Sequence, residues 1–158
     1  MVKTYEIVID GVPCIAQHGE YLWDVAKRNG IEIPALCRSN AFAEHRACCR
    51  VCIVEVITRG RSKVVTSCVY PVEGECEVLT NSPKIVQERK VLLALLAARA
   101  PESDVIANMA AQMGATEGYT RFKPLDAGKC ILCGLCVQAC ESMGAGAIST
   151  VNRGVEKE

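Results

Sequence analysis

Surplus charge is the first thing this 158-residue chain lacks: 18 Lys and Arg stand against 18 Asp and Glu, for a formal net charge of zero. Aromatic side chains are nearly as scarce, with one Trp, four Tyr and two Phe. A neutral chain with so few stacking rings has neither the electrostatic footprint nor the platforms that nucleic acid requires, so no nucleic-acid partner is expected. Long apolar runs are missing too. The longest, VLLALLAA over residues 91–98, falls far short of the roughly 18–20 residues that cross a bilayer, so no direct membrane insertion is expected. Residues 1–11 alternate polar and apolar side chains with no basic start and no apolar stretch. No secretory signal is therefore expected, which argues for a reducing, cytoplasmic setting. The sequence also has no G-x-G-x-x-G, no G-x-x-x-x-G-K-[ST], no Ser/His/Asp constellation and no paired-carboxylate cleft. No catalytic residue is assigned on this basis, and no nucleotide or flavin site is expected within the chain.

Cysteine, by contrast, is abundant, with eleven residues. In a reducing setting so many thiols point to metal ligands rather than disulfides. The sharpest pattern is Cys130, Cys133, Cys136 and Cys140, spaced C-x2-C-x2-C-x3-C. Two-residue spacers place three thiolates around one tight loop, and Gly134 is small enough to let backbone amides approach inorganic sulfide. This is the ligand spacing of a bacterial [4Fe-4S] site. Zinc sites more often use two separated C-x2-C pairs or a Cys/His mixture, which leaves a zinc-stapled interaction module as a more distant alternative. The chain has no second run of this kind, so two possibilities remain for Cys140. Either it closes this cluster, or it is spare while Cys14, Cys48, Cys76 or a partner chain closes it.

A second set comprises Cys37, Cys49, Cys52 and Cys68, spaced C-x11-C-x2-C-x15-C. A loop cysteine, a C-x2-C pair entering a strand and a distant fourth cysteine follow the logic of a [2Fe-2S] site, with a longer first gap than the plant-type run. Pro34 stiffens the entry to Cys37, and Arg50 offers charge-assisted hydrogen bonding beside an anionic cluster. Cys48 is a competing ligand next to Cys49. Cys14 and Cys76 read as small buried hydrophobes. A Rieske-type centre needs two histidines on one iron, and His18 and His45 read instead as exposed or locally bonded. Met109, Met113 and Met143 read as core or contact residues.

Hydrophobic periodicity predicts a hairpin over residues 5–16 turning at Asp10-Gly11, then a short helix from Tyr21 stopped by Gly30. Strands follow over 50–57 and 63–69, with a turn at 58–61. These elements suggest a small β-grasp domain. A helix over 83–100 starts at Ser82-Pro83, and a second over about 102–114 follows the break at Pro101. Within the first of these, Leu92 and Leu96 are expected to pack inward and Leu93 to meet a partner, because the 91–98 run is apolar all round and needs cover on every side. Residues 118–129 read as a linker. The expected class is α+β: a β-grasp [2Fe-2S] ferredoxin-like domain over 1–80, a helical connector over 81–118 and a small [4Fe-4S] domain over 119–158.

The segments Ile33-Pro34-Ala35-Leu36-Cys37, Cys49-Arg50-Val51-Cys52-Ile53-Val54-Glu55-Val56 and Thr66-Ser67-Cys68-Val69-Tyr70-Pro71 resemble the [2Fe-2S] domain that begins the large iron-sulfur subunit of respiratory complex I. The same domain occurs in iron-only hydrogenases and in subunits of NAD-linked hydrogenases and formate dehydrogenases. The Lys129 to Glu141 run and Val151-Asn152-Arg153-Gly154 look like the next cluster domain of those proteins. The resemblance implies Cys49 rather than Cys48 as ligand. It also implies an iron-sulfur subunit relaying single electrons within a larger oxidoreductase, beside flavin- or metal-containing subunits. A freestanding two-cluster ferredoxin is the alternative. One departure stands out: relatives place a His and three Cys between these domains for an additional [4Fe-4S] cluster, whereas residues 95–104 here contain neither His nor Cys.

Overall fold

The computed structural model describes residues 3–42, 45–115, 128–152 and 157. The chain clusters into two compact units, Met1–Ala35 with Arg50–Gln87 and Leu36–Cys49 with Glu88–Glu158.

The first unit is built on a five-stranded mixed sheet. Strands β1 (Thr4–Ile9) and β2 (Val12–Gln17) form an antiparallel hairpin in which Ile9 pairs with Val12. Asp10 and Gly11 make its turn, with φ of 48° and 81°. Positive φ at both central positions is the type I′ turn, whose twist suits a two-residue hairpin and which glycine adopts without a Cβ penalty. Alternation then sends Ile7, Ile9, Cys14 and Ala16 into the core. A second hairpin joins β3 (Ile53–Thr58) to β4 (Arg61–Thr66).

Within the sheet the two hairpins are joined by β5 (Glu77–Leu79), which lies parallel to β1 and antiparallel to β3 in the order β2-β1-β5-β3-β4. Val78 is fully buried and pairs with both Ile9 and Val56. Just beyond it, the Thr80 backbone N–H and hydroxyl both donate to the Asp10 carboxylate, fastening the end of β5 to the first turn. Helix α1 (Leu22–Arg28) buries Leu22, Val25 and Ala26. It ends in a Schellman motif, with Gly30 N–H on the Lys27 carbonyl and Ile31 N–H on that of Ala26.

Helix α2 (Pro83–Arg99) starts as expected, with Ser82 accepting from Ile85 N–H and proline in the first turn. Its phase corrects the expected packing. Ile85, Arg89 and Leu93 form a buried i, i+4 row, with Leu93 fully buried and Leu92 and Leu96 only half-buried. Leu93 therefore does not await a partner, because an all-round apolar run carries no phase of its own and the row beginning at Ile85 sets it. In the second unit, α3 (Asp104–Gln112) is capped by Ser103, which accepts from Ile106 N–H, and buries Ile106 and Ala110.

Several boundaries also move. The strand expected from residue 50 begins at Ile53, because Arg50 adopts φ 56° and cannot continue a ladder. The returning strand ends at Thr66 and gives way to a 3-10 turn over Ser67–Val69. Met143 caps the C-terminus of the last helix and is 75% exposed, so it is not a core residue. Residues 118–127 of the expected linker, and Arg153 and Gly154, lie outside the described residues. The α+β class and the ferredoxin-like sheet are as expected.

Two stability outcomes follow from α2. Leu93→Ala should cost roughly 2–5 kcal/mol in chemical unfolding, because it opens a cavity in a fully buried site, and Leu92→Ala should cost less. Ser82 also donates to Glu55 on β3 at 2.7 Å, and this bond, with help from Ser62, holds the Glu55 carboxyl below its usual range. The lowered pKa means that the stabilisation is present above the unfolded pKa and is lost as pH falls through the folded one. Wild type should therefore outlast Glu55→Gln at neutral pH, with the difference vanishing on acidification in a pH series of unfolding curves.

Candidate iron-sulfur centres

Cys37 lies three residues beyond Pro34, and the approach to it is held from α1. The Trp23 indole N–H donates to the Ile33 carbonyl at 2.9 Å. Among the described residues of 37–49 there is no helix or strand. Ala47 has φ 50° and Arg50 φ 56°, so left-handed backbone brackets the Cys48-Cys49 pair. Within this stretch the Cys49 N–H donates to the Cys37 sulfur at 3.5 Å. Both thiols are buried, at 2% and 4% exposure.

Cys52 and Cys68 are fully buried in the first unit. Ser67 ties their surroundings together, because its backbone N–H and its hydroxyl both donate to the Cys52 carbonyl, at 3.1 and 2.7 Å. A buried hydroxyl with that partner positions the turn carrying Cys68 against the chain entering β3. No spacing rule pointed to Ser67. The only cue was its place beside a cysteine.

The third group sits on a loop and a helix that the sequence did not reveal. Helix α4 (Leu135–Ser142) carries Cys136 and Cys140, and Gly134 is its N-cap with φ 76°. Leu132 inside the first C-x2-C is also left-handed, with φ 56°. Left-handed residues next to right-handed ones turn successive N–H groups into a concave anion-binding nest. The Leu132 N–H donates to the Cys130 sulfur at 3.4 Å and the Ala147 N–H to the Cys140 sulfur at 3.1 Å. Cys140 is buried, Cys133 half-buried, and Cys130 and Cys136 exposed.

The remaining thiols behave differently. Cys14 donates to the Val12 carbonyl at 3.4 Å and Cys48 to the Arg46 carbonyl at 3.6 Å. Burial pushes the Cys14 thiol up against the pull of Arg28, and pushes Cys76 up against Lys63. Cys76 is half-buried rather than fully in the core. Cys48 is exposed, yet its titration is also pushed up, first by desolvation of its inner side and then by the neighbouring Cys37 and Cys133 sulfurs. The 37–49 loop thus lies beside the third group within the second unit. Of the histidines, His18 pairs with the Tyr5 hydroxyl at 3.3 Å.

Among the described residues no three His, Cys, Asp or Glu side chains converge as they would around a single metal ion. A cluster differs from one ion, because its own iron and sulfide lie between the thiolates and spread the ligands. The donor chemistry fits such a group: three of the sulfurs, on Cys37, Cys130 and Cys140, already accept amide N–H bonds.

The ferredoxin-like sheet and the two cysteine groups point to the iron-sulfur class of protein. Residues 3–83 match a family described as a 2Fe-2S iron-sulfur cluster binding domain, and residues 123–142 match a 4Fe-4S binding domain. The chain belongs to the 2Fe-2S iron-sulfur cluster binding domain family and carries one [2Fe-2S] and one [4Fe-4S] cluster. It is similar to the NADP-reducing hydrogenase subunit HndD of Solidesulfovibrio fructosivorans, with 33% identity covering 94% of this chain and 30% of the relative. It is 35% identical to the gamma subunit of the NAD-reducing hydrogenase HoxS of Cupriavidus necator, covering 59% of this chain and 38% of that one. The alpha subunit of the NADPH-Fe(3+) oxidoreductase of Geobacter sulfurreducens is 30% identical, covering 94% of this chain and 20% of the relative. The chain therefore spans well under half the length of these curated relatives. Among solved structures, that of an NAD+-reducing [NiFe]-hydrogenase in the H2-reduced state superposes with a TM-score of 0.80 at 25% identity, over 97% of this chain and 73% of that one.

The contrast among thiols has a direct readout. Iodoacetamide should label exposed Cys48 in the cluster-loaded protein well before Cys14, which is 2% exposed. Peptide mass spectrometry over a time course measures the order.

Proposed function

We propose that this chain is an iron-sulfur electron-transfer subunit, relaying single electrons between redox centres of a larger oxidoreductase of hydrogenase, formate dehydrogenase or NAD(P)-linked type. The observation that carries the reading is the succession in one chain of a [2Fe-2S] domain and a [4Fe-4S] domain, matched at residues 3–83 and 123–142. Each cluster, when bound, accepts and releases one electron. The chain's residues fix where it sits, what dipoles and charges surround it and how much water reaches it.

In this reading Cys37, Cys49, Cys52 and Cys68 ligate the [2Fe-2S] cluster. Cys130, Cys133, Cys136 and Cys140 ligate the [4Fe-4S] cluster. Support for Cys49 over Cys48 comes from burial, since Cys49 is 4% exposed while Cys48 is exposed. Support for Cys140 comes from its burial and the Ala147 amide on its sulfur. Residues 1–80 and 119–158 are then the two cluster domains, and 81–118 a structural connector.

The partners in this reading are flavin- or metal-containing subunits in a hetero-oligomeric complex, in keeping with the hydrogenase subunits among the relatives. The apolar 91–98 run does not add to that case, because Leu93, Ala94 and Ala98 are buried within the chain. No helix among the described residues is long and apolar enough to cross a membrane. A cytoplasmic complex is the setting proposed.

Anaerobic purification with iron and sulfide analysis, followed by low-temperature paramagnetic resonance of the reduced protein, tests the ligand assignment. Cys49→Ala should abolish the rhombic [2Fe-2S] signal and Cys48→Ala should leave it. Cys140→Ala should remove the [4Fe-4S] signal alone. Native co-purification tests the partners, because a monomer that elutes alone from its own source would make the protein a free carrier.

A further inference from the structure

Arg46 belongs to the loop between Cys37 and Cys49, yet its guanidinium reaches the other cysteine run. Its Nη2 donates to Glu141 Oε2 at 2.5 Å, across 95 positions of sequence and within one compact unit. Glu141 directly follows Cys140. The Arg46 stem also lies over Gly134, between Cys133 and Cys136: a Cβ on that glycine would stand 3.2 Å from Arg46 Cδ and 3.9 Å from Nε. One full positive and one full negative charge are thus held side by side against the loop and helix that carry the [4Fe-4S] thiols. The pair is partly solvated, with side-chain exposures of 34% for Arg46 and 54% for Glu141. An exposed ion pair of this kind contributes little to stability.

We infer that Arg46 and Glu141 are an electrostatic pair that sets the reduction potential of the [4Fe-4S] cluster, with the cationic member supplied by the [2Fe-2S]-ligand loop. The inference rests on the assignment of Cys130, Cys133, Cys136 and Cys140 to that cluster. Reduction moves one electron from the donor to the cluster, with no bond made or broken in the protein and no proton required, so one unit of negative charge is added beside the pair. A nearby cation favours the reduced form and a nearby carboxylate the oxidised form. With both present the two effects largely cancel. Removing either one exposes the other, so the two single substitutions must act in opposite directions. A pair that served only as a staple would give changes of the same kind from either side.

The test is a mediated redox titration of the cluster-loaded full chain, with dithionite as reductant and the [4Fe-4S] signal followed by low-temperature paramagnetic resonance. The series is wild type, Arg46→Gln, Glu141→Gln, the double variant and Arg46→Lys. The expected result is a more negative midpoint for Arg46→Gln and a more positive one for Glu141→Gln. The double variant should return close to wild type, and Arg46→Lys should stay there because it keeps the charge. The gap between the two single variants should narrow as salt is added, since the pair is exposed enough to be screened. Shifts of the same sign, or unmoved midpoints, overturn the inference while leaving the cluster assignment standing. Loss of the [4Fe-4S] signal from both single variants makes the pair a structural staple and overturns it as well. A wild-type protein with no [4Fe-4S] signal and an iron content matching one [2Fe-2S] cluster overturns the ligand assignment itself, and this inference with it.

Discussion

Backbone N–H groups turned toward cysteine sulfur are the interaction on which the rest of this structure depends. Thiolate-ligated clusters are anionic, and the chain has no surplus of Lys and Arg to set against them. Fixed amide dipoles supply the compensation instead. An amide inside a helix or sheet is already committed to its ladder, so the amides that meet sulfur, those of Cys49, Leu132 and Ala147, come from irregular backbone. The left-handed residues Ala47, Arg50 and Leu132 mark such backbone. Each non-glycine residue held there costs about 1–3 kcal/mol, a cost that persists only if rigid elements hold both ends of the loop.

Those elements are close at hand. Cys52 is followed at once by β3, whose Val54 and Val56 are fully buried, and Ser67 pins the carbonyl of Cys52 from the turn that bears Cys68. β3 in turn is held in the sheet by β5, a three-residue strand with a fully buried valine. In the Cys130–Cys140 run, α4 performs the corresponding service, with Gly134 entering it and the Gly144 and Ala145 amides closing it on the Glu141 and Cys140 carbonyls. Regular structure here fixes the ends of the irregular loops whose amides meet cysteine sulfur.

That division explains what could be read from the sequence. Hairpins, α1 and the start of α2 were legible because each is specified locally, by Asp10-Gly11, by Gly30 and by Ser82-Pro83. The two cysteine groups stood out because their spacing sets them apart, the Cys130–Cys140 run more sharply than Cys37, Cys49, Cys52 and Cys68. β5 was not, because three residues cannot display a period and its place is dictated by two neighbouring strands. α4 was not, because within the run 130–140 the cysteine spacing masks the helical one. The phase of α2 was not, because a run apolar on every face contains no information about which face the core will take. Arg46 was not, because its partners lie 88 and 95 positions away along the chain.

The two cysteine sets differ most in their access to water, and that difference decides what can act on each. Cys37, Cys49, Cys52 and Cys68 are all at most 4% exposed, whereas Cys130 and Cys136 are exposed. Around a deeply buried set the surroundings are amides, carbonyls and apolar side chains, which do not move with salt or with a docking partner. Around exposed Cys130 and Cys136, solvent screens charge, and the local potential answers to whatever is brought to the surface. Charge beside exposed Cys130 and Cys136 is therefore adjustable in a way that the surroundings of buried Cys37, Cys49, Cys52 and Cys68 are not. Under the proposed ligand assignment, one redox centre is governed by buried surroundings and the other stays open to what is brought to the surface.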